Sequence, residues 1–440
     1  MSDLRQAIGL GRATAMVVGT IIGASIFVQP SLVSGAVPSP AGMLLVWGAA
    51  GLLTLIGVLV TAELASAFPK TGGVYVFLRE SYSPALGFLW CWAMFWSMHT
   101  GIIAAIATVC ARYVGFFIPL DDTGTRLVAI TVILALSAIN YVGVRHGTTL
   151  QTAFTIGKVA AVAAIVVAGF VAPGRASGPD ATAAVVPSAS SFITATVAGL
   201  FAFGGWHMVT YTGDETVDAR RTIPRALMIG TLIVTASYIA VNAAYLAVLS
   251  PAAVAASNRV AADFADAILG SGGAAAMAAL VVFSTVGALI GIILTGPRVY
   301  LAAAQDGLLP RAVASVHPRF ATPHYAIVLQ AVWASVLVAT GTYRALFTRV
   351  VYTEWIFFGL MAGGIFLLRR RPGYAPAYRA WGYPVLPVVF IISTVVIVAN
   401  QLVADPWESV TGLAIVLAGL PFYYFRVRGR TTTRELHADH

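Results

Sequence analysis

Long apolar runs, nearly free of charge, recur along this chain from close to its start to close to its end. A run of this kind has one economical fold in a bilayer, the α-helix, which pairs every backbone N–H and C=O within the segment. Reading runs of about 18 residues or more as spans gives twelve: 13–37, 41–67, 84–118, 127–144, 150–173, 190–211, 226–250, 273–302, 324–341, 346–368, 384–403 and 409–426. Only 10% of the 440 residues are charged and 59% are hydrophobic, where a soluble domain carries about 25% charged residues. The expected class is an all-α, multi-pass integral membrane protein. At the start, Asp3, Arg5 and Arg12 lead into a long span without the short apolar core and cleavage pattern of a secretory leader, so no cleavable signal peptide is expected.

A net charge of +9 raises the question of nucleic acid, and its distribution answers it. Most basic residues fall in alternate connections and at both ends: Arg5, Arg12, Lys70, Arg79, Arg145, Arg220, Arg221, Arg225, Arg298, Arg311, Arg319, Arg369 to Arg371, Arg379 and Arg426 onward. The opposite connections hold only Arg112, Arg126, Arg175, Arg259, Arg344 and Arg349. This is the positive-inside pattern, with both termini cytoplasmic, and it leaves no role for nucleic acid.

Two of the spans are interrupted. G-T-I-I-G-A-S-I-F (Gly19 to Phe27) lies in the first and F-A-F-G-G-W-H (Phe201 to His207) in the sixth. Glycine is unfavourable inside a helix and frees backbone groups that lipid cannot satisfy. Such breaks persist where they line a cavity, and a pair in corresponding halves of a chain points to a transporter's binding site. Close packing of helices through small residues is the other reading of the same glycines.

Other chemistry is scarce. Cys91 and Cys110 share one predicted helix, and at about 1.5 Å per residue they are far beyond disulfide reach. No paired His or Cys spacing suggests a metal, and no cofactor motif is present. The segment 68–84 mixes aromatic, apolar and charged residues and suits an interfacial helix or re-entrant segment. Residues 175–191 read as a loop, 254–273 as a connection with a short helix, and the tail from Arg426 as disordered.

Five motifs, in order along most of the chain, resemble those of the amino acid–polyamine–organocation superfamily. They are V-V-G-T-I-I-G-A-S-I-F-V-Q-P, A-E-L-A-S-A-F-P-K-T-G-G-V-Y-V-F-L-R-E (Ala62 to Glu80), G-L-F-A-F-G-G-W with D-E-T and I-P-R-A following, P-R-V-Y-L-A-A-A-Q-D-G-L-L-P, and Y-R-A-W-G-Y-P. Within the superfamily the chain is most similar to bacterial members like the L-type amino acid transporters. The resemblance implies a leucine-transporter-type fold in one transmembrane domain over 1–440. In that fold two inverted repeats of five helices, 13–173 and 190–368, have broken helices 1 and 6, and two extra helices follow at 384–426. Departures are visible too. Gly23-Ala24-Ser25 stands where relatives carry Gly-Ser-Gly, His207 where many carry Asn, and Ile290 where a polar Asn is expected. Ile118 to Thr125 lacks the cysteine by which eukaryotic relatives attach a second subunit, so no disulfide-linked partner is expected.

An α-amino acid presents a carboxylate and an ammonium, and a broken helix offers N–H donors and C=O acceptors side by side. The N–H groups of Gly23, Ala24 and Ser25 open the outer half of span 1, where the helix dipole favours an anion. The carbonyl of Ile21 and those of Phe201 and Gly204 can accept from the ammonium. By resemblance Phe201 is the aromatic lid over substrate. His207 either lines the pocket and titrates or is a neutral, hydrogen-bonded core residue. Lys158 interrupts span 5 at a depth where a charge is costly and demands a partner. By resemblance its ammonium replaces the cation that bridges helices 1, 5 and 8 in sodium-coupled relatives, touching a carbonyl near Gly19 and the hydroxyl of Ser284. Snorkelling to the interface is its other option. Glu63 is expected to pair with Lys70 or Arg79, and Asp214, Glu215 and Asp218 with Arg220, Arg221 and Arg225. Glu354 lies in an apolar run with no evident partner.

These readings converge on a secondary transporter of amino acids working by alternating access, a permease or antiporter and not an enzyme. Spans 1, 2, 6 and 7 would rock against spans 3, 4, 8 and 9. Neutral L-amino acids are expected because no acidic residue adjoins the breaks in sequence. The alternative is a proton-coupled carrier of cationic amino acids, polyamines or other organic amines. The expected location is a bacterial inner membrane.

Overall fold

The apolar runs fold into helices throughout, in a computed structural model that describes residues 4–171, 188–257, 259–341 and 343–426. Span 1 is two helices, α1 (Leu10–Ile21) and α2 (Ser25–Ala36), bent by 48° at the break. Next come α3 (Pro40–Ala67), a short α4 (Val74–Ser81), and a third span made of α5 (Pro84–Ala93) and α6 (His99–Val114) joined through a π-turn at Met94–Met98. Spans 4 and 5 are α7 (Asp122–Val142) and α8 (Val144–Val171). They meet at Gly143, whose φ of 150° makes the connection a single residue. α8 therefore starts at Val144, six residues before the expected limit of 150.

Span 6 departs most from expectation. Its helix α9 (Ala189–Ala202) ends at the glycines, and the chain continues as a turn and then a 3-10 segment, Met208–Glu215. After it run α10 (Ala219–Val248), two short helices α11 (Pro251–Ala256) and α12 (Val260–Leu269), α13 (Gly273–Gln305), α14 (His324–Thr340), α15 (Tyr343–Leu368), α16 (Val385–Ala404) and α17 (Pro406–Leu417). Among the described residues eight helices are long and apolar enough to cross a membrane, nine with the bent pair α1–α2; α9, α14 and the apolar stretch Tyr352–Leu368 of α15 are shorter. Together they account for the twelve expected spans in order. The segment 68–84 is helical over α4, as an interfacial helix would be. The expected loop at 175–191 lies outside the described residues up to 187, and so does the tail beyond Arg426.

Packing follows from where small residues fall. α10 lies along α3 and α1, and α13 threads between α6, α8 and α1. A Cβ on Gly19 would stand 2.2 Å from both Gln151 Nε2 and Thr155 Oγ1, so α1 and α8 approach closely only because residue 19 is glycine. The lipid side is apolar in turn: α16 and α17 expose Val385, Val395, Val403 and Val410, as expected for helices flanking the bundle.

Candidate functional site

The two breaks meet in one cavity of about 280 Å³. From span 1 it is lined by Thr20, Ile21, Gly23, Ala24 and Ser25, and from span 6 by Phe201, Ala202, Gly204, Gly205 and Trp206. α6 supplies Ile102, Ile106 and Val109, and α15 supplies Glu354, Trp355 and Phe358. Of the seven residues expected to meet substrate, Ile21, Gly23, Ala24, Ser25, Phe201 and Gly204 line this space. His207 does not: it is 1% exposed and packs behind the wall among Trp90, Trp206, Tyr211 and Phe358. Both of its ring nitrogens lack a partner among the described residues.

The backbone at the break is arranged asymmetrically. α1 closes with the N–H of Ile22 on Val18 O, and the next backbone donor in use is Phe27 N on Ala24 O. The N–H groups of Gly23 and Ala24 have no acceptor among the described residues. They precede the first turn of α2, the positive end of that helix, so an anion is the group they are placed to receive. On the carbonyl side the freed groups are largely answered from within. Tyr238 of α10 holds its hydroxyl 3.0 Å from Ile21 O and 3.0 Å from Ala202 O, one contact on each break. Thr20 Oγ1 stands 3.3 Å from Gly205 O. Gly205 has φ of 95°, a conformation that favours glycine and lets the chain turn beneath the cavity. Tyr238 was not singled out in the sequence, where a tyrosine in an apolar span carries no signal of its own.

Lys158 is 1% exposed and does not snorkel. Its Nζ donates to Gly19 O at 2.9 Å and to Ile22 O at 2.7 Å, the last turn of α1. Ser284 of α13 donates to Gly23 O at 3.2 Å and stands 3.5 Å from Ile22 O. The ammonium and the hydroxyl thus share the Ile22 carbonyl rather than bonding each other. Three helices, α1, α8 and α13, are joined at one point. A Cβ on Gly287 would lie 2.7 Å from Lys158 Cε, so glycine there makes the room the lysine occupies.

The acidic residues expected to form local pairs do so with distant partners instead. Glu63 is held by Arg369, through Nε at 2.9 Å and Nη2 at 2.6 Å, and also accepts from Ala380 N and Tyr374 Oη. Lys70 and Arg79 are not its partners: Arg79 binds Glu80 and Asp306. Glu215 forms a two-point pair with Arg298 at 2.8 and 2.9 Å, both side chains fully buried, rather than with Arg220, Arg221 or Arg225. Asp214 accepts from Thr71 N at 3.2 Å. Sequence neighbourhood misled here because these groups sit at helix ends that the fold brings together from across the chain. At the same face burial pushes the Tyr374 hydroxyl up, with the Glu63 charge and hydrogen bond adding to it. Tyr75, raised first by burial and then by Asp306, donates to that carboxylate at 2.5 Å.

Glu354 is the residue whose place the sequence hid. Two positions after Tyr352, where the apolar stretch of α15 begins, it lies far in sequence from both breaks, yet it lines the same cavity. The absence of acidic residues beside the breaks in sequence is therefore not an absence in space. Among the described residues no group of His, Cys, Asp and Glu side chains is arranged to hold a metal ion.

Comparison with known proteins adds the context. A family model described as amino acid permease matches residues 8–420. The serine/threonine exchanger SteT of Bacillus subtilis is 33% identical over 429 residues, covering 96% of this chain and 97% of its own. The large neutral amino acids transporter small subunit 2 of Oryctolagus cuniculus is 31% identical over 436 residues, with 96% and 81% covered. The Asc-type amino acid transporter 1 of Mus musculus is 30% identical over 446 residues, with 99% and 83% covered.

Proposed function

Because this chain belongs to the amino acid permease family, we propose that it is a secondary active exchanger of neutral L-amino acids. One observation carries the reading: two broken spans share a cavity whose α1–α2 edge offers N–H groups, unpaired among the described residues, at the positive end of a helix. A carboxylate belongs there, and the ammonium on the same carbon falls toward the remaining lone pairs of the carbonyls of Ile21, Phe201 and Gly204. The relatives named serine/threonine exchanger and large neutral amino acids transporter support both the exchange and the neutral class.

Lys158 is the fixed cation of this reading. It occupies the junction of α1, α8 and α13 and holds the end of α1 by two carbonyls, so opening of the site has to break or carry that contact. Residues 13–173 and 190–368 act as the two inverted repeats of a single transporter domain, with spans 1, 2, 6 and 7 moving against 3, 4, 8 and 9. Phe201, 37% exposed at the cavity, closes over bound substrate. The face richer in basic residues is cytoplasmic, which makes both termini cytoplasmic on this reading, and the host membrane is a bacterial inner membrane.

Uptake of labelled neutral amino acids into proteoliposomes, with and without internal unlabelled amino acid and at two external pH values, tests the proposal. Uptake that requires internal substrate and ignores the pH gradient is the expected result. Uptake driven into empty vesicles by an inward proton gradient would replace exchange by symport.

A further inference from the structure

Glu354 brings a carboxyl to the cavity, and no described residue answers it. It is 8% exposed and, among the described residues, takes part in no hydrogen bond or ion pair. Three cations of the bundle are committed elsewhere: Lys158 to the end of α1, Arg298 to Glu215, and Arg369 to Glu63. Its electrostatic neighbour is the hydroxyl of Tyr211, itself fully buried. Arg369, at the basic end of the same helix, is about 22 Å away at ~1.5 Å per residue, so the carboxyl sits near mid-membrane. A buried acid without a partner at that depth costs several kcal/mol, and such residues face functional space.

The surroundings define what it would meet. Ile102, Ile106 and Val109 of α6, with Trp355 and Phe358 of α15, make that side of the cavity apolar. α15 packs on α6 and α3, whereas the N–H donors at Gly23 and Ala24 belong to the α1–α2 break. A substrate whose α-carboxylate rests on the break extends its side chain toward this apolar wall. A purely apolar wall discriminates weakly between a methyl and a hydroxyl of the same size, whereas a buried acceptor rejects the analogue that leaves it unpaired.

We propose that Glu354 is a specificity-determining residue that accepts a hydrogen bond from a donor on the substrate's side chain, a hydroxyl or an ammonium. The inference rests on the amino acid transport reading above and selects side chains with an apolar stem and a donor; a preference for the hydroxyl keeps the neutral class, and a preference for the ammonium extends it to cationic amino acids.

Counterflow by the full-length protein in proteoliposomes tests it with isosteric pairs: L-threonine against L-valine, and L-ornithine against L-norleucine. The wild type is expected to favour the donor-bearing member of at least one pair by about tenfold or more, the ratio a single hydrogen bond to a carboxyl supplies. Glu354→Met should bring that ratio near unity while L-valine or L-norleucine is still carried. A wild-type ratio near unity for both pairs, or a ratio unchanged in Glu354→Met, overturns the proposal. If the variant does not fold, carbodiimide labelling of Glu354 in the wild type decides: the donor-bearing amino acids should slow it more than their isosteres, and equal protection overturns the inference. Wild-type protein that carries no amino acid at all would instead remove the transport reading, an outcome separate from transport without preference.

Discussion

The two sides of the cavity treat polar groups in opposite ways. Toward the basic face the carboxylates are clamped. Glu215 lies against Arg298 with neither exposed, Glu63 against Arg369, Tyr374 and the N–H of Ala380, and Asp214 against the N–H of Thr71. At the cavity itself, among the described residues, the N–H groups of Gly23 and Ala24 are left without acceptors and Glu354 without a partner. Polar groups cost the same to desolvate on either side. On the proposed reading, their different fates separate what seals the protein from what waits for a ligand: the seal is satisfied internally, and the site is satisfied only by what enters it.

Breaking the deepest clamp should have the largest effect. Arg298→Met strands Glu215 in a site with no solvent, and losing one partner of a buried ion pair costs about 3–5 kcal/mol. A large drop in thermal stability in detergent is expected, with part of it regained in the double variant Arg298→Met, Glu215→Leu. If the double variant is no more stable than the single one, the pair is not what makes Arg298→Met costly.

Lys158 stands between the two regimes, a charge satisfied by carbonyls alone. Lys158→Met removes two charge-assisted hydrogen bonds from α1, each worth about 1.5–3 kcal/mol. On the proposed reading, exchange falls about 10- to 100-fold per bond that transport depends on. Lys158→Arg should rescue it poorly, because Gly287 leaves room for a narrow stem only. Full exchange by Lys158→Met would show that the ammonium holds α1 without taking part in transport.

How far the sequence reached follows the same divide. Apolar length and glycine breaks are local properties, so the spans and the two interruptions were legible, and so were the six backbone-lined positions that meet at the cavity. The pairings were not. Glu63 finds Arg369 and Glu215 finds Arg298 across the bundle, and a chain read in order favours neighbours such as Lys70 or Arg220. The π-turn at Met94–Met98 left no mark, since its residues are ordinary for a membrane helix. The shift of span 6 from helix to a 3-10 segment followed from Gly204 and Gly205, but the pattern fixes where a helix stops and not what replaces it. Glu354 was visible as an anomaly, and only the fold shows which space it borders.

The seal also has a backbone component, with a smaller expected effect. Gly213 lies against the main chain of Lys70, where an added Cβ would stand 2.5 Å from the carbonyl carbon and 2.6 Å from its oxygen. The adjoining contacts, Gly72 N to Tyr211 O at 3.2 Å and Asp214 N to Thr71 Oγ1 at 3.2 Å, depend on that approach. Gly213→Ala should cost about 1–3 kcal/mol through overpacking, and it should raise the reactivity of a cysteine placed at Thr71 toward a water-soluble maleimide. Unchanged reactivity would locate the seal in the ion pairs alone.

The smallest effect is expected where charges are paired but wet. Arg259 stands 3.2 Å from Asp263 and 3.9 Å from Asp266 at the start of α12, with Arg259 55% exposed and Asp263 37%. On paper this resembles the Glu215 clamp, an arginine set against a carboxylate. Solvent screens it, and an exposed pair is worth about 0–1 kcal/mol. Arg259→Gln should therefore shift thermal stability by less than about 1 kcal/mol, and any shift should fade as salt is raised. A loss as large as that of Arg298→Met would mean that burial is not what separates the two pairs, and the division between sealing and waiting groups would have to be drawn on other grounds.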